Sequence, residues 1–226
     1  MIRVITITHQ RGSGGTTLAR LLAHKLGWNP VDRGLIERVA RVADLDMSTA
    51  DYFDEQAACW CGVLRARGIN LDRLCPPVVP RWFGEIDEES IHGLTDQLIR
   101  AAADVGKCVI AVPGAQCLLQ GRADVFKVLV YAPIEERIAR VHDRHPECAD
   151  AEAFLKQMDL QTAQYTLKHY GSEWLGAGLC LYDLCVNTST GLDAAAALIN
   201  TELALLEEGG IPPAQELSPC HAPQQL

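Results

Sequence analysis

His9-Gln10-Arg11-Gly12-Ser13-Gly14-Gly15-Thr16-Thr17 is the stretch whose reading decides the fold. Ahead of it, Ile2-Arg3-Val4-Ile5-Thr6-Ile7 is short, β-branched and mostly apolar, the signature of a buried strand. Behind it, Leu18, Leu22 and Leu26 recur at helical spacing with Ala19 and Ala23 alongside, which predicts a helix over 17–26. A strand, a glycine-rich turn and a helix together bring backbone N–H groups to a point where an anion can sit. The glycines permit the tight turn, and the helix N-terminus adds partial positive charge.

These residues make Gly12, Ser13, Gly14, Gly15, Thr16 and Thr17 candidates for phosphate binding, with Arg11 beside them. Thr16 stands where such loops keep the hydroxyl that reaches a magnesium ion. The full Walker pattern G-x-x-x-x-G-K-[ST] asks for glycine at position 9 and lysine at position 15. This chain has His9 and Gly15 instead. The alternative is a plain glycine-containing strand–helix turn with no ligand.

The chain of 226 residues is long enough for one α/β domain with a lid or insertion. Apolar residues make up 48% and charged residues 22%, the values of a globular protein rather than a disordered one. A net charge of −9 argues against nucleic-acid and anionic-membrane partners, yet leaves room for a nucleotide held in one local positive pocket. No apolar run reaches bilayer length, and the first residues lead straight into a strand, so a cytoplasmic location is expected. Nine cysteines occur without a C-x-x-C pair, and Cys59-Trp60-Cys61 has no matching second pair for zinc. Reduced thiols are expected, with Cys108 and Cys185 acting as small apolar residues inside strands.

Further along, short apolar runs at 28–31, 107–112, 125–131 and 181–186 read as four more strands. Between them lie helical patterns: one following an Asp32 cap, one starting near Ser48, one opened by Asp87-Glu88-Glu89-Ser90, and others over 134–145, 149–170 and 192–206. Residues 66–87 carry Gly68, Pro76, Pro77, Pro80 and Gly84 and read as an irregular insertion. The expectation is a P-loop NTPase-type three-layer α/β fold, with a five-stranded parallel sheet and helices on both faces. A single domain would span 1–208, with an acceptor region at about 32–90, a lid at about 134–170 and a disordered tail over 209–226.

Several segments together resemble the cytidylate kinase-like proteins. They are Ile5-Thr6-Ile7-Thr8 with Gly12-Ser13-Gly14-Gly15, Val31-Asp32-Arg33-Gly34-Leu35-Ile36-Glu37, and Cys108-Val109-Ile110 with Gly114-Ala115. Val130-Tyr131-Ala132-Pro133 with Glu136-Arg137-Ile138 follows, then Met158-Asp159, Tyr165, Tyr170, Trp174 and Tyr182 to Ser189. The resemblance implies transfer of the ATP γ-phosphoryl group to CMP or dCMP, assisted by Mg²⁺. It implies that residues 12–17 hold the donor phosphates and that Asp32, Arg33 and Arg38 face the acceptor. It further implies that Arg137, Arg140 and Arg144 form the basic face of the lid, and that Asp183 and Asn187 precede a loop near the adenine.

The chain departs from that family at three places. Pro113 stands where an arginine usually precedes Gly114, Leu160-Gln161-Thr162 follow Asp159 where arginines are common, and His9 replaces another arginine. Each lost charge-stabilising donor costs on the order of a hundredfold in rate. Two further readings therefore stand beside the kinase. One is a nucleotide-binding regulatory protein without transfer. The other is a kinase for a different small acceptor, with Trp60, Trp82 or Phe83 stacking on it.

Overall fold

A computed structural model describes residues 1–44, 55–71 and 88–209. Strand β1 (Val4–His9) leads to helix α1 (Gly15–Leu26), and β2 (Asn29–Asp32) leads to α2 (Arg33–Asp44). Helices α3 (Glu55–Ala66) and α4 (Glu88–Val105) come next, followed by β3 (Cys108–Ala111) and the short α5 (Ala115–Leu118). Then come β4 (Val125–Tyr131), α6 (Ile134–Arg144), α7 (Ala151–Tyr170), β5 (Leu184–Asn187) and α8 (Leu192–Glu208).

The strands form one parallel sheet in the order β2-β3-β1-β4-β5. Side-chain alternation along each strand feeds two cores. Val4, Val31, Cys108 and Ile110 face one side, where Leu35, Leu64, Leu94 and Leu98 from α2, α3 and α4 cover them. Ile5, Ile7, Val109, Phe126 and Val128 face the other, against Leu18 and Leu22 of α1 and Ile199 of α8. Each such leucine or isoleucine taken fully out of water contributes about 1.5–3 kcal/mol. A third cluster of Val141, Ala151 and Leu155 joins α6 to α7 and makes these two helices one unit.

This topology positions the site. The chain leaves β1 towards β2 on one side and later returns to β4 on the other, so β1 is a switch point whose C-terminal end opens into a crevice. The glycine-rich loop occupies that end. Helix α1 stops at Gly27, whose left-handed φ of 65° lets its N–H return to the carbonyls of Ala23 and His24.

Some expectations are corrected. The last strand begins at Leu184 rather than 181, because Gly176–Leu181 winds as a 3-10 turn and pairing starts with Asp183 N–H on the Lys127 carbonyl. Cys185, on that edge strand, is exposed, whereas Cys108 is buried and its thiol is pushed up to about 12 by desolvation. Trp60 is buried in the core of α2, α3 and α4 and so is not a stacking platform. Trp82, Phe83, the helix start near Ser48 and the tail beyond Gly209 lie outside the described residues. No helix among the described residues is long and apolar enough to cross a membrane.

Candidate phosphate-binding site

The loop after β1 turns through Gly12 and Gly14, both left-handed with φ of 80° and 84°. Between them the buried Ser13 donates its hydroxyl to the Gln10 carbonyl at 2.7 Å, closing the turn from inside. Gly14 is the N-cap of α1 and brings no side chain to it, and the first turn holds no acidic residue. The first N–H groups of the helix are left for a ligand, with the helix dipole behind them.

His9 and Gly15 interlock. A Cβ placed on Gly15 would lie 2.3 Å from both Cβ and Cγ of His9, so the imidazole occupies the space a side chain at position 15 needs. Nδ1 of His9 meets the Gln10 carbonyl at 3.2 Å, and Nε2 meets the Thr16 hydroxyl at 3.1 Å. A carbonyl only accepts, so Nδ1 carries the proton and Nε2 accepts from Thr16 Oγ1. Burial, the largest influence, pushes the His9 pKa below its ordinary value despite the Gln10 carbonyl, and this keeps the ring neutral. The Thr16 proton is thereby parked on His9, and the oxygen lone pairs remain for a cation.

The α6–α7 unit, the segment expected as a lid, holds the loop by hydrogen bonds. Arg137 on α6 donates Nε to the Arg11 carbonyl at 2.7 Å and pairs through Nη2 with Asp159 of α7. The other Asp159 oxygen accepts the Arg11 N–H at 2.8 Å. Both the N–H and the carbonyl of Arg11 are therefore held by the Arg137–Asp159 ion pair. Arg140 reaches the Gly12 carbonyl, Glu136 and both oxygens of Thr188, and Thr188 Oγ1 donates to the Ser13 carbonyl at 2.7 Å. Arg144 approaches the Thr17 hydroxyl at 3.4 Å, and the Arg11 guanidinium lies 5.9 Å over the Phe154 ring.

A cavity of about 440 Å³ lies between loop and lid. That falls in the range of small-molecule sites, about 300–1,000 Å³. Gly12, Gly14, Gly15, Thr16 and Thr17 line it together with Arg11, Arg20, Arg140 and Arg144, and among the described residues no carboxylate lines it. Four guanidiniums and a helix N-terminus thus make a positive pocket inside an acidic protein.

The acceptor-side candidates divide. Asp32 is buried at the end of β2, where Oδ1 caps α2 by accepting the Leu35 N–H at 3.0 Å and Oδ2 accepts from Arg20 at 2.7 Å. A Cβ on Gly34 would lie 3.2 Å from Asp32, 3.4 Å from Arg38 and 3.9 Å from Arg20, so these three side chains crowd one spot. Arg33 is not among them: it points to solvent and pairs with Glu37. Arg137 differs from its expected place as well. It does not line the cavity, being only 7% exposed and fully engaged under the lid. Arg122 is bound to Asp104 and Asp124, beside the entry to β4, at the opposite end of the strands from the loop. Asp183 likewise stands at the entry to β5, accepting the Lys127 N–H, while Asn187 caps the turn that carries Thr188.

Past β3, at Pro113 and Gly114, the last turn of α7 fills the space. A Cβ on Gly114 would lie 2.0 Å from Tyr170 Cε2, and the Tyr170 hydroxyl donates to Asp96 on α4 at 2.7 Å. His92 accepts or donates at Tyr165 over 2.9 Å and lies 3.9 Å from the His169 ring. Gly114→Ala is expected to lose about 1–3 kcal/mol of stability, because its Cβ collides with Tyr170 and its φ of 86° disfavours any side chain. Thermal unfolding followed by circular dichroism checks this, and an unchanged midpoint would contradict the packing.

Sequence reading missed Arg20, Thr188 and the holding role of Asp159. Arg20 alone left a signal: it lies four residues after Thr16, on the same face of α1.

The parallel sheet of this order, with a glycine loop between β1 and α1 and a two-helix lid, defines a P-loop kinase-type α/β protein. The model of the cytidylate kinase-like family matches residues 4–190, and the chain belongs to that family. No curated protein matches it. Among solved structures it is similar to an uncharacterized protein from Eubacterium ventriosum, with 18% identity and a TM-score of 0.61 over 90% of this chain and 99% of that one. It is also similar to shikimate kinase from Bacteroides thetaiotaomicron, with 14% identity and a TM-score of 0.50 over 91% and 100%. At these identities the likeness is one of fold.

Proposed function

We propose that the protein is an ATP-dependent phosphotransferase acting on a small acceptor, with CMP or dCMP the acceptors that family membership favours. The observation that carries this reading is the uncapped N-terminus of α1 opening into a cavity lined by four arginines. The triphosphate lies along Gly12 to Thr17, where backbone N–H groups bind non-bridging oxygens. Arg140 and Arg144 stabilise negative charge that spreads over the transferred group, with Arg11 closing the cavity mouth beside Phe154.

Magnesium fits this site. Thr16 offers an oxygen whose proton is directed at His9, and no cluster of three carboxylate, thiol or imidazole groups among the described residues competes for a metal. Such an ion would be held by Thr16 and the phosphates together, and it would supply charge neutralisation at the bridging oxygens. Asp32 and Arg38 face the acceptor, whose attacking oxygen needs positioning more than acid–base help. The free thiols of the described cysteines support a reducing, cytoplasmic setting, and the acidic charge supports no nucleic-acid partner.

One observation favours an acceptor other than CMP. The ground beyond β3, where an arginine would clamp an acceptor phosphate, carries Pro113 and is covered by Tyr170. ADP release from Mg-ATP, measured with CMP, dCMP, UMP, AMP and shikimate in turn, separates these readings. Turnover with CMP or dCMP supports the first acceptor class, and turnover with another compound supports the second. If ATP raises the melting temperature while no acceptor releases ADP, the protein is a nucleotide-binding member without transfer.

A further inference from the structure

Resting on that reading of the donor site, we infer that Arg20 supplies the cation for the γ-phosphate that a Walker lysine supplies in other loops. Three observations meet here. Position 15 cannot hold a lysine while His9 is present, because the imidazole fills the space of its Cβ. Position 15 therefore brings no cation to the terminal phosphates, and one there has to come from another residue of the cavity lining.

The other three arginines lining the cavity come to it from the loop or from α6. Arg140 is tied to Glu136 and Thr188, Arg144 stands at Thr17, and Arg11 lies over Phe154 with its peptide clamped by the lid. Arg20 lies one helical turn after Thr16 and lines the same cavity, with its guanidinium on Asp32.

Arg20 is also the cavity arginine that touches an acceptor-side residue. Its Nε and Nη2 both meet Asp32 Oδ2, at 2.7 and 2.6 Å. Asp32 is nearly buried at 9% exposure, whereas the Arg20 side chain is 59% exposed. The carboxylate is thus the fixed member and the guanidinium the movable one. Asp32 holds Arg20 at the boundary between the two substrates, where the transferred group passes.

Calorimetric affinities for Mg-ATP and Mg-ADP, measured on four proteins, test this. The parent protein should prefer ATP. Arg20→Gln should weaken ATP binding about tenfold, the loss of one charge-assisted contact, while leaving ADP binding unchanged. Arg20→Lys should retain most of the preference. Asp32→Asn breaks the same ion pair but keeps the guanidinium, so it should lose less of the preference than Arg20→Gln does. If Arg20→Gln lowers ATP and ADP affinity alike, or neither, the pair is structural and the inference falls while the donor site stands. If the parent binds neither nucleotide, the donor reading and this inference fall together.

Discussion

Gly15→Lys, made alone, is expected to abolish ATP binding, and His9→Gly combined with Gly15→Lys is expected to restore it. The single variant places a Cβ 2.3 Å from His9, and one of the two must leave its position. Overpacking of this kind costs about 1–3 kcal/mol, and here it falls on the helix turn that presents N–H groups to the phosphates. Gly15 does not have a positive φ, so the backbone itself accepts a side chain and the conflict is with His9 alone. The double variant rebuilds G-x-x-x-x-G-K-T over positions 9–16. Glycine in the strand costs it about 0.5–1 kcal/mol, and the Thr16 hydroxyl loses the imidazole that accepts from it. Nucleotide titration and thermal unfolding of both variants give the answer. A single lysine variant that binds ATP as the parent does would show that His9 yields freely. In the double variant the new lysine should also make Arg20 dispensable.

The second large effect is expected at Arg137. Its guanidinium is buried and shared between Asp159 and the Arg11 carbonyl, so Arg137→Ala leaves the Asp159 carboxylate, 20% exposed, without its charge partner. Breaking a fully buried pair from one side costs about 3–5 kcal/mol, and the partial exposure of Asp159 puts this one at the lower end of that range. In a domain of this size each kcal/mol moves the melting midpoint by about 2–4 °C. ATP affinity should fall with stability, because the Arg11 peptide loses its clamp. Arg137→Lys should recover little, since a single ammonium cannot hold a carboxylate and a carbonyl in the planar geometry of a guanidinium. A group acting only on the transition state would behave differently, losing turnover while the melting curve stayed in place. Stability and turnover measured on the same preparations distinguish the two roles.

The parts of this molecule legible in the sequence are those written locally. β1, the loop and α1 follow from β-branched residues, glycines at the turn and leucines every fourth position, and the structure has them within two residues of expectation. The Asp32 cap was equally local, three residues from the N–H it accepts. What could not be read is what depends on distant packing. His9 and Gly15 look like two departures from a pattern, yet they are one departure, because each fills the space the other leaves. Arg137, Arg140 and Arg144 share a helical spacing, but burial by α7 sends the first beneath the lid and leaves the others at the cavity. Pro113 reads as a missing charge, and only the contact at Gly114 reveals Tyr170 in that region.

The loop also has a place in the order of synthesis and folding. The peptide groups of Arg11, Gly12 and Ser13 are held by Asp159, Arg137, Arg140 and Thr188, partners 126 to 175 residues downstream. During synthesis the phosphate-binding sequence emerges well before these partners, and the loop cannot be fixed until nearly the whole family-matched region has appeared. Long-range closure of this kind slows folding and leaves partly built chains exposed. Nucleotide capture should therefore mark the completed molecule, and truncation before Thr188 should cost the site its shape while β1 and α1 remain intact in sequence.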